Sequence, residues 1–181
     1  MIVTSIFLVP AERHEKFIIR NLMQLYQYEL ASFTGKTIDP LGLFDYSYLD
    51  HYWTADGKHE GRVPFLIRVD DQLAGFILIN QYSYIDPHME TYNVAEFFVM
   101  NVFRRKGIGE VAARRLFALF PGQWEIAVLR ENTPAIAFWR SVVASVSNGT
   151  FEEIERSDVG WDGPVLRFSS ACDSCMPFLD R

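Results

Sequence analysis

The chain reads as a three-layer α+β (α/β) domain, a mixed sheet with helices packed on its faces. Three observations predict it. Segments of strand and amphipathic-helix character follow in the order β-α-α-β-β-β-α-β-α-β-β. The 181 residues are 49% hydrophobic and include 15 Phe, 8 Tyr and 4 Trp, enough for one full core. No internal repeat, low-complexity tract or linker divides them, so residues 1–170 are expected to form a single domain, with 171–181 as a tail.

Each element has a local reason. Ile2 to Val9 is apolar and β-branched, as a first strand should be. From Ala11 to Phe33, Phe17, Ile18, Leu22, Leu25, Tyr26, Glu29 and Leu30 recur at helical spacing, and Gly35 closes the helix. A loop with Asp39-Pro40 and Gly42 leads to Phe44–Trp53, expected as a short second helix, and Asp56–Gly61 reads as a turn. Pro64–Val69 and Leu73–Asn80 flank Asp70-Asp71 as a hairpin, with Gly75 marking a bulge or a close backbone approach. Tyr82–Pro87 is a loop.

Ala95–Met100 has the composition of a buried strand. In the helix that follows, Ile108, Val111, Ala112, Leu116, Leu119 and Phe120 share one face, Glu110, Arg114 and Arg115 lie largely off it, and Pro121-Gly122 ends it. Gln123–Leu129 is the next strand. Asn132-Thr133-Pro134 starts a helix, with Asn or Thr as cap and Pro in the first turn, and it carries Ile136, Phe138, Trp139, Val142, Val143 and Val146 as far as Asn148-Gly149. Thr150–Arg156 and Pro164–Ser169 close the chain as antiparallel strands around an Asp162-Gly163 turn.

Charge and composition exclude several function classes. A formal charge of −6 argues against nucleic acid as a partner and is compatible with cationic substrates. No apolar run approaches the roughly 20 residues of a membrane span. The N-terminus lacks the basic start of a secretory signal, so a cytoplasmic location without a membrane partner is expected. Cys172 and Cys175 form a lone C-x-x-C in the polar tail. A zinc site needs four ligands and no second pair exists, so these read as two inert thiols. His14, His51, His59 and His88 lack metal-ligand spacing, and no metal is assigned.

The segment Arg104-Arg105-Lys106-Gly107-Ile108-Gly109-Glu110 joins a buried strand to a helix. The first turn of a helix leaves N–H groups without intrahelical acceptors, and the macrodipole makes that end attractive to anions. Gly107 and Gly109 allow the backbone to wrap closely around a ligand where a Cβ would obstruct. Three cationic side chains stand beside them. This reads as a pyrophosphate cradle, with spacing that fits neither a P-loop nor a dinucleotide fingerprint.

The pattern Arg104-x-x-Gly107-x-Gly109 after a strand resembles the acetyl-CoA signature of the GNAT N-acetyltransferases. A second block, Glu131-Asn132-Thr133-Pro134-Ala135-Ile136-Ala137-Phe138-Trp139-Arg140, resembles that family's asparagine-led fourth helix. Together with the element order, the resemblance runs from Ile2 to about Ser169. It implies a mixed, mostly antiparallel sheet with helices on both faces, whose strand before the cradle splays from its neighbour. The pantetheine arm of acetyl-CoA would enter that gap and pair with the backbone of Phe97, Phe98 and Val99. Arg105 to Glu110 would surround the pyrophosphate, mainly through main-chain N–H, with Arg104 also counted among the cofactor-binding residues and Asn132 near the pantetheine. A main-chain N–H at Val99 would polarise the acetyl carbonyl.

The activity so implied is acetyl-CoA-dependent transfer of an acetyl group to a primary amine of a small molecule by direct attack. Acetylation of a protein or peptide, and a catalytically inactive acyl-CoA-binding module, stand as alternatives, and a homodimer is left open. An alkylammonium must lose a proton before it attacks. Glu96, matching the glutamate some members carry on the central strand, is the candidate base. Others place a glutamate on the next strand, where this chain has Ala127 and, two residues away, Glu125 as a weaker candidate. Trp139 stands where the family usually offers a tyrosine as general acid, and an indole cannot serve as one. Either another residue supplies the proton, with Tyr82, Tyr84 and Ser141 as candidates, or water does, or the leaving group departs as thiolate. The first two helices and nearby loops would line the acceptor site with Tyr26, Tyr28, Glu29, Asp45, Tyr46, Tyr48, Asp50, His51, Tyr52 and Trp53. Of these Tyr26, Glu29 and Tyr48, with Tyr82, are the named candidates, since aromatic faces and carboxylates suit a cationic amine.

Overall fold

A computed structural model describes residues 5–170. The tail 171–181, with Cys172 and Cys175, lies outside the described residues, as does the start of the first strand. Seven strands form one sheet in the order β1-β2-β3-β4-β5-β7-β6, where β1 is Ile6–Pro10, β2 Val63–Val69, β3 Gln72–Asn80, β4 Tyr92–Val99, β5 Gly122–Ala127, β6 Phe151–Ser157 and β7 Asp162–Ser170. Every pairing is antiparallel except β4 with β5. Helix α1 (Lys16–Thr34) covers one face, and α3 (Ile108–Leu119) and α4 (Thr133–Val146) cover the other; α2 (Ala55–His59) is a short helix in the connection between α1 and β2. Both expected fold features, the mixed mostly antiparallel sheet and the helices on both faces, are present.

Because both faces are covered, β2 and β3 carry unbroken apolar runs, Pro64–Ile67 and Leu73–Ile79. Phe65, Ile67, Ile77, Ile79, Trp124 and Leu166 pack under α3 and α4, while Leu66, Phe76, Leu78 and Phe98 pack under α1. Helix α1 buries Ile19, Leu22, Met23 and Gln27, a stripe at i, i+3, i+4 and i+8. Phe17 and Leu25, which the spacing assigns to that stripe, are exposed instead. In α3 the buried face is rotated: Ala113 and Phe117 are in the core and Leu119 is exposed.

Several boundaries differ from the sequence expectation: α1 begins at Lys16, after a 3-10 turn, and β5 ends at Ala127. Within Phe44–Trp53 only Leu49–Trp53 is helical, and as a 3-10 turn. The expected turn at 56–61 instead overlaps helix α2, because Thr54 caps it by accepting the Gly57 N–H at 3.0 Å. Strand β4 begins at Tyr92, ahead of the apolar run. The last hairpin turns at Asp158–Trp161, where the Asp158 carboxylate accepts the N–H groups of Gly160 and Trp161. Asp162 and Gly163 are already paired with Ser157 and Arg156 in the ladder. By contrast Asp70-Asp71 turns as expected, both residues at positive φ (46° and 67°). At Gly75 a Cβ would lie 1.9 Å from the Phe98 carbonyl oxygen, so only glycine lets β3 approach β4 there. Among the described residues no helix is long and apolar enough to cross a membrane.

Candidate functional site

The sheet is nearly divided at one seam. Strands β4 and β5 pair only through Tyr92↔Trp124 and Asn93↔Glu125. Just beyond, the β3–β4 register shifts: Ile79 pairs with Val94 and Leu78 with Glu96, leaving Ala95 as the extra residue of a bulge. A bulge bends and twists its strand, and here β4 leaves β5 at that point. The gap widens into a cleft of about 970 Å³, the upper end of the range for small-molecule sites. Its lining combines Phe97, Phe98 and Val99 of β4, the C-terminal half of α1 (Tyr26 to Phe33), the turn at 104–110, and Asn132, Pro134, Ala135, Phe138 and Trp139 at the start of α4.

At the head of the cleft, Arg105 (φ 58°) and Gly107 (φ 77°) both adopt the left-handed conformation. Two such residues near one another turn successive N–H groups to one side, the arrangement called a nest, and Gly107 is the N-cap of α3. A Cβ on Gly107 would meet no protein atom within 4 Å, so the backbone there borders open space. The N–H groups of Ile108, Gly109 and Glu110 have no intrahelical acceptor. Gly109 differs from Gly107: a Cβ there would make ordinary contact with the Phe138 ring at 3.4 Å, so α3 faces α4 at this point. A nest, a helix N-terminus and a long apolar cleft fit the diphosphate and the pantetheine arm of coenzyme A.

The cationic side chains of this turn divide. Arg105 is exposed and lines the cleft. Arg104 is committed elsewhere: Nε donates to the Val99 carbonyl (2.6 Å), Nη2 to Glu29 (2.6 Å), and its guanidinium lies 5.5 Å from the Phe98 ring centroid. It braces the end of β4 against α1. Lys106 donates Nζ to the Val102 carbonyl (2.7 Å), and neither it nor the core residue Ile108 presents a side chain to the cleft. Glu110 lines the cleft while paired with Arg114 at 3.0 Å. Asn132 caps α4, its Oδ1 accepting from the Ala135 N–H (3.2 Å), which leaves its NH₂ for the cleft.

On the α1 face of the seam, next to the bulge, stands Glu96. It is partly buried. Desolvation pushes its carboxyl up to about 7, against the pull of the Tyr26 and Tyr46 hydroxyls, which lie within hydrogen-bonding reach, and of the Lys36 ammonium. Burial and the Glu96 charge in turn raise the phenols of Tyr26, Tyr46 and Tyr84, so all three keep their protons at neutral pH. Tyr26 links this carboxylate to the cleft, since it also lines it, resting edge-on against Phe76 (5.8 Å between centroids).

The remaining expected acceptor residues scatter. Glu29 faces the cleft but is held by Arg104. Tyr48 is exposed beneath Arg62, 5.8 Å from ring to guanidinium, and outside the cleft lining. Tyr82 is exposed with its ring edge-on to Tyr84 at 5.1 Å. Tyr46 and Tyr84, absent from the named candidates, are the residues gathered around Glu96. Glu125 is fully buried and accepts from Ser83 Oγ (2.9 Å), the Tyr84 N–H (2.7 Å) and Arg167 (3.4 Å). It anchors the loop that carries Tyr84. Trp139 is buried against Phe97 (5.0 Å) and Phe138 (4.9 Å), forming cleft wall where the family resemblance implies a phenol.

Comparison with known proteins meets this geometry from outside. Residues 22–142 match the model of the acetyltransferase (GNAT) family. Among solved structures, the chain resembles a GNAT-family acetyltransferase from Staphylococcus aureus Mu50 at 16% identity (TM-score 0.61, covering 91% of this chain and 99% of that one). It resembles an aminoglycoside acetyltransferase AAC(6')-Ib in complex with coenzyme A at 13% identity (TM-score 0.63, 91% and 95%). A spermidine N-acetyltransferase SpeG chimera from Vibrio cholerae and hSSAT is similar at 17% identity (TM-score 0.53, 91% and 93%). At these identities the likeness shows the fold. No curated protein sequence matches the chain significantly.

Proposed function

The chain belongs to the acetyltransferase (GNAT) family, and on that premise we propose that it moves the acetyl group of acetyl-CoA onto a primary amine of a small molecule. Use of acetyl-CoA, and acyl transfer from it, come with the family. The acceptor class and the residue roles are our reading. Bound acetyl-CoA supplies a thioester carbonyl open to direct attack. The nest at 105–107 and the N-terminus of α3 hold its diphosphate. Phe97 to Val99 offer backbone groups to its pantetheine, with the Val99 N–H toward the acetyl carbonyl. Arg104 keeps that strand end in place.

One observation carries the amine reading: a carboxylate poised near neutrality, Glu96, beside the seam through which acceptor and thioester can meet. As an ammonium acceptor approaches, Glu96 takes its proton, directly or relayed by Tyr26, and leaves a neutral amine to attack. As the C–N bond forms the C–S bond breaks, and the departing coenzyme A thiolate takes up, through solvent, the proton that the new amide nitrogen sheds. The phenols around it are hydrogen-bond donors to the carboxylate and apolar faces to the acceptor. Two similar structures are described as acetyltransferases of an aminoglycoside and of spermidine, both small amines.

The test is to incubate the protein with acetyl-CoA and a panel of small amines and follow free thiol. Amine-dependent thiol release that rises through about pH 7 and collapses in Glu96→Gln is expected. Coenzyme A binding without turnover on any amine would instead assign an acyl-CoA-binding module, the outcome that Trp139 in place of a phenol would favour.

A further inference from the structure

Resting on the reading of Val99 as donor to the acetyl carbonyl, we propose that Arg104 and Glu29 are positioning residues for that N–H and bind neither the diphosphate nor the acceptor. The reason lies in how β4 ends. Met100 donates its N–H to the Ala74 carbonyl of β3 at 2.9 Å. Peptide groups alternate between the two sides of an antiparallel strand. Val99, one residue earlier, therefore turns both its N–H and its carbonyl away from β3, toward the cleft that it lines. Strand β5 does not reach it, because the β4–β5 pairing stops at Asn93. Arg104 Nε takes the Val99 carbonyl at 2.6 Å, which leaves the N–H as the open group of this residue.

The guanidinium is held at its far edge as well. Nη2 donates to Glu29 Oε2 at 2.6 Å, and Glu29 Oε1 accepts from Asn101 Nδ2 at 3.4 Å. A guanidinium is a rigid planar fork, so a carboxylate at one edge dictates where the other edge donates. Glu29 belongs to α1, three residues from Tyr26, and both line the cleft. The chain Glu29–Arg104–Val99 thus ties the helix on the acceptor side to the strand end that meets the thioester. Charge explains why Arg104 is not the phosphate ligand: it already neutralises a carboxylate standing in a cleft meant for an anion. Glu110, the other acid of the lining, is likewise paired with Arg114 at 3.0 Å. Of the charged lining side chains, Arg105 alone has no ionic partner among the described residues.

The test reads kcat, KM and the infrared carbonyl stretch of bound acetyl-CoA isotope-labelled at the acetyl carbonyl. It compares wild type, Glu29→Ala, Glu29→Gln, Arg104→Ala and the double alanine variant, each shown to be folded by circular dichroism. Glu29→Ala should lower kcat by about tenfold or more while KM for acetyl-CoA stays within about threefold, the mark of a misplaced donor and not of lost carrier binding. The double variant should lose no more than Arg104→Ala alone, since the two residues act as one unit. Glu29→Gln, which keeps an oxygen for Nη2, should recover much of the loss. In the wild type the stretch should lie below that of free acetyl-CoA, and in Glu29→Ala it should move back toward it. Additive losses in the double variant, a stretch that Glu29→Ala leaves in place, or an Arg104→Ala that loses coenzyme A affinity and keeps its kcat would each overturn the inference. Turnover of no amine at all would sink the amine reading alone, because the infrared shift decides the positioning by itself.

Discussion

On the α3–α4 side of β4 the cleft is made largely from main chain: a two-residue nest, a helix N-terminus and the free edge of a splayed strand. On the α1 side the surroundings of Glu96 are made from side chains, delivered by α1, by the connections before α2 and after β3, and by β4 itself. The first surface suits a ligand part that never varies, because peptide groups cannot be exchanged by substitution. The second can be retuned one side chain at a time. A chain can keep the first and change the second, which is why family membership names the thioester donor and leaves the acceptor open.

Substitutions can break that contrast or sharpen it. The largest effect is expected from Gly107→Glu, which forces a side chain into φ 77° and sets a negative charge in the anion cradle. Its coenzyme A affinity should fall by about 100-fold or more in calorimetry while circular dichroism stays native; retained affinity would remove the cradle.

Glu96→Gln should do the reverse, leaving coenzyme A affinity unchanged and lowering amine turnover by roughly 10² at pH 8. The wild-type rate should climb as pH rises through about 7, where Glu96 loses its proton, and the variant should lose that inflection. A variant with the same inflection would take Glu96 out of the chemistry.

The loop that carries Tyr84 gives an intermediate test. Glu125→Ala removes the acceptor of two loop donors and leaves Arg167 short of its buried partner, which should cost about 3 kcal/mol in urea unfolding. A loss under about 1 kcal/mol would mean that the loop is anchored by other contacts.

The smallest effect is on stability. The folded Glu96 carboxyl titrates above its unfolded value of 4.5, so its favourable contribution is present below that pH and is lost as pH rises through about 7. Glu96→Gln should therefore stabilise the protein on the order of 1 kcal/mol at pH 8 and not at pH 4. Equal effects at both pH values would deny the desolvation.

Legibility in the sequence follows the same division. Helix α1 with its Gly35 cap, the 63–80 hairpin, the strand–turn–helix around Gly107 and the Asn132 cap are local features, set by residues a few positions apart, and spacing finds them. The burial of Phe117 in place of Leu119 needed knowledge of where α4 lies. Glu96 was reachable because it sits on the strand leading into the motif. Its company was not: Tyr26, Tyr46 and Tyr84 meet it from positions 70, 50 and 12 residues away, and no periodicity relates them. Nor could the sequence show that Arg104 would be spent on Val99 and Glu29, because a cation beside a glycine turn looks free until its neighbours are placed.

The seam has a mechanical meaning as well. With only Tyr92–Trp124 and Asn93–Glu125 joining the two halves of the sheet, continuity from β1–β4 to β5–β7 is carried across the faces, by α3 and α4 on one and by the Ser83–Tyr84 anchorage to Glu125 on the other. Amide protons bordering the opening should therefore exchange with solvent faster than those of the central β2–β3 ladder in the free protein. On the proposed binding mode the thioester carrier would lie in the opening as a third strand-like segment, so loading it should stiffen the molecule most where its own hydrogen bonding is thinnest.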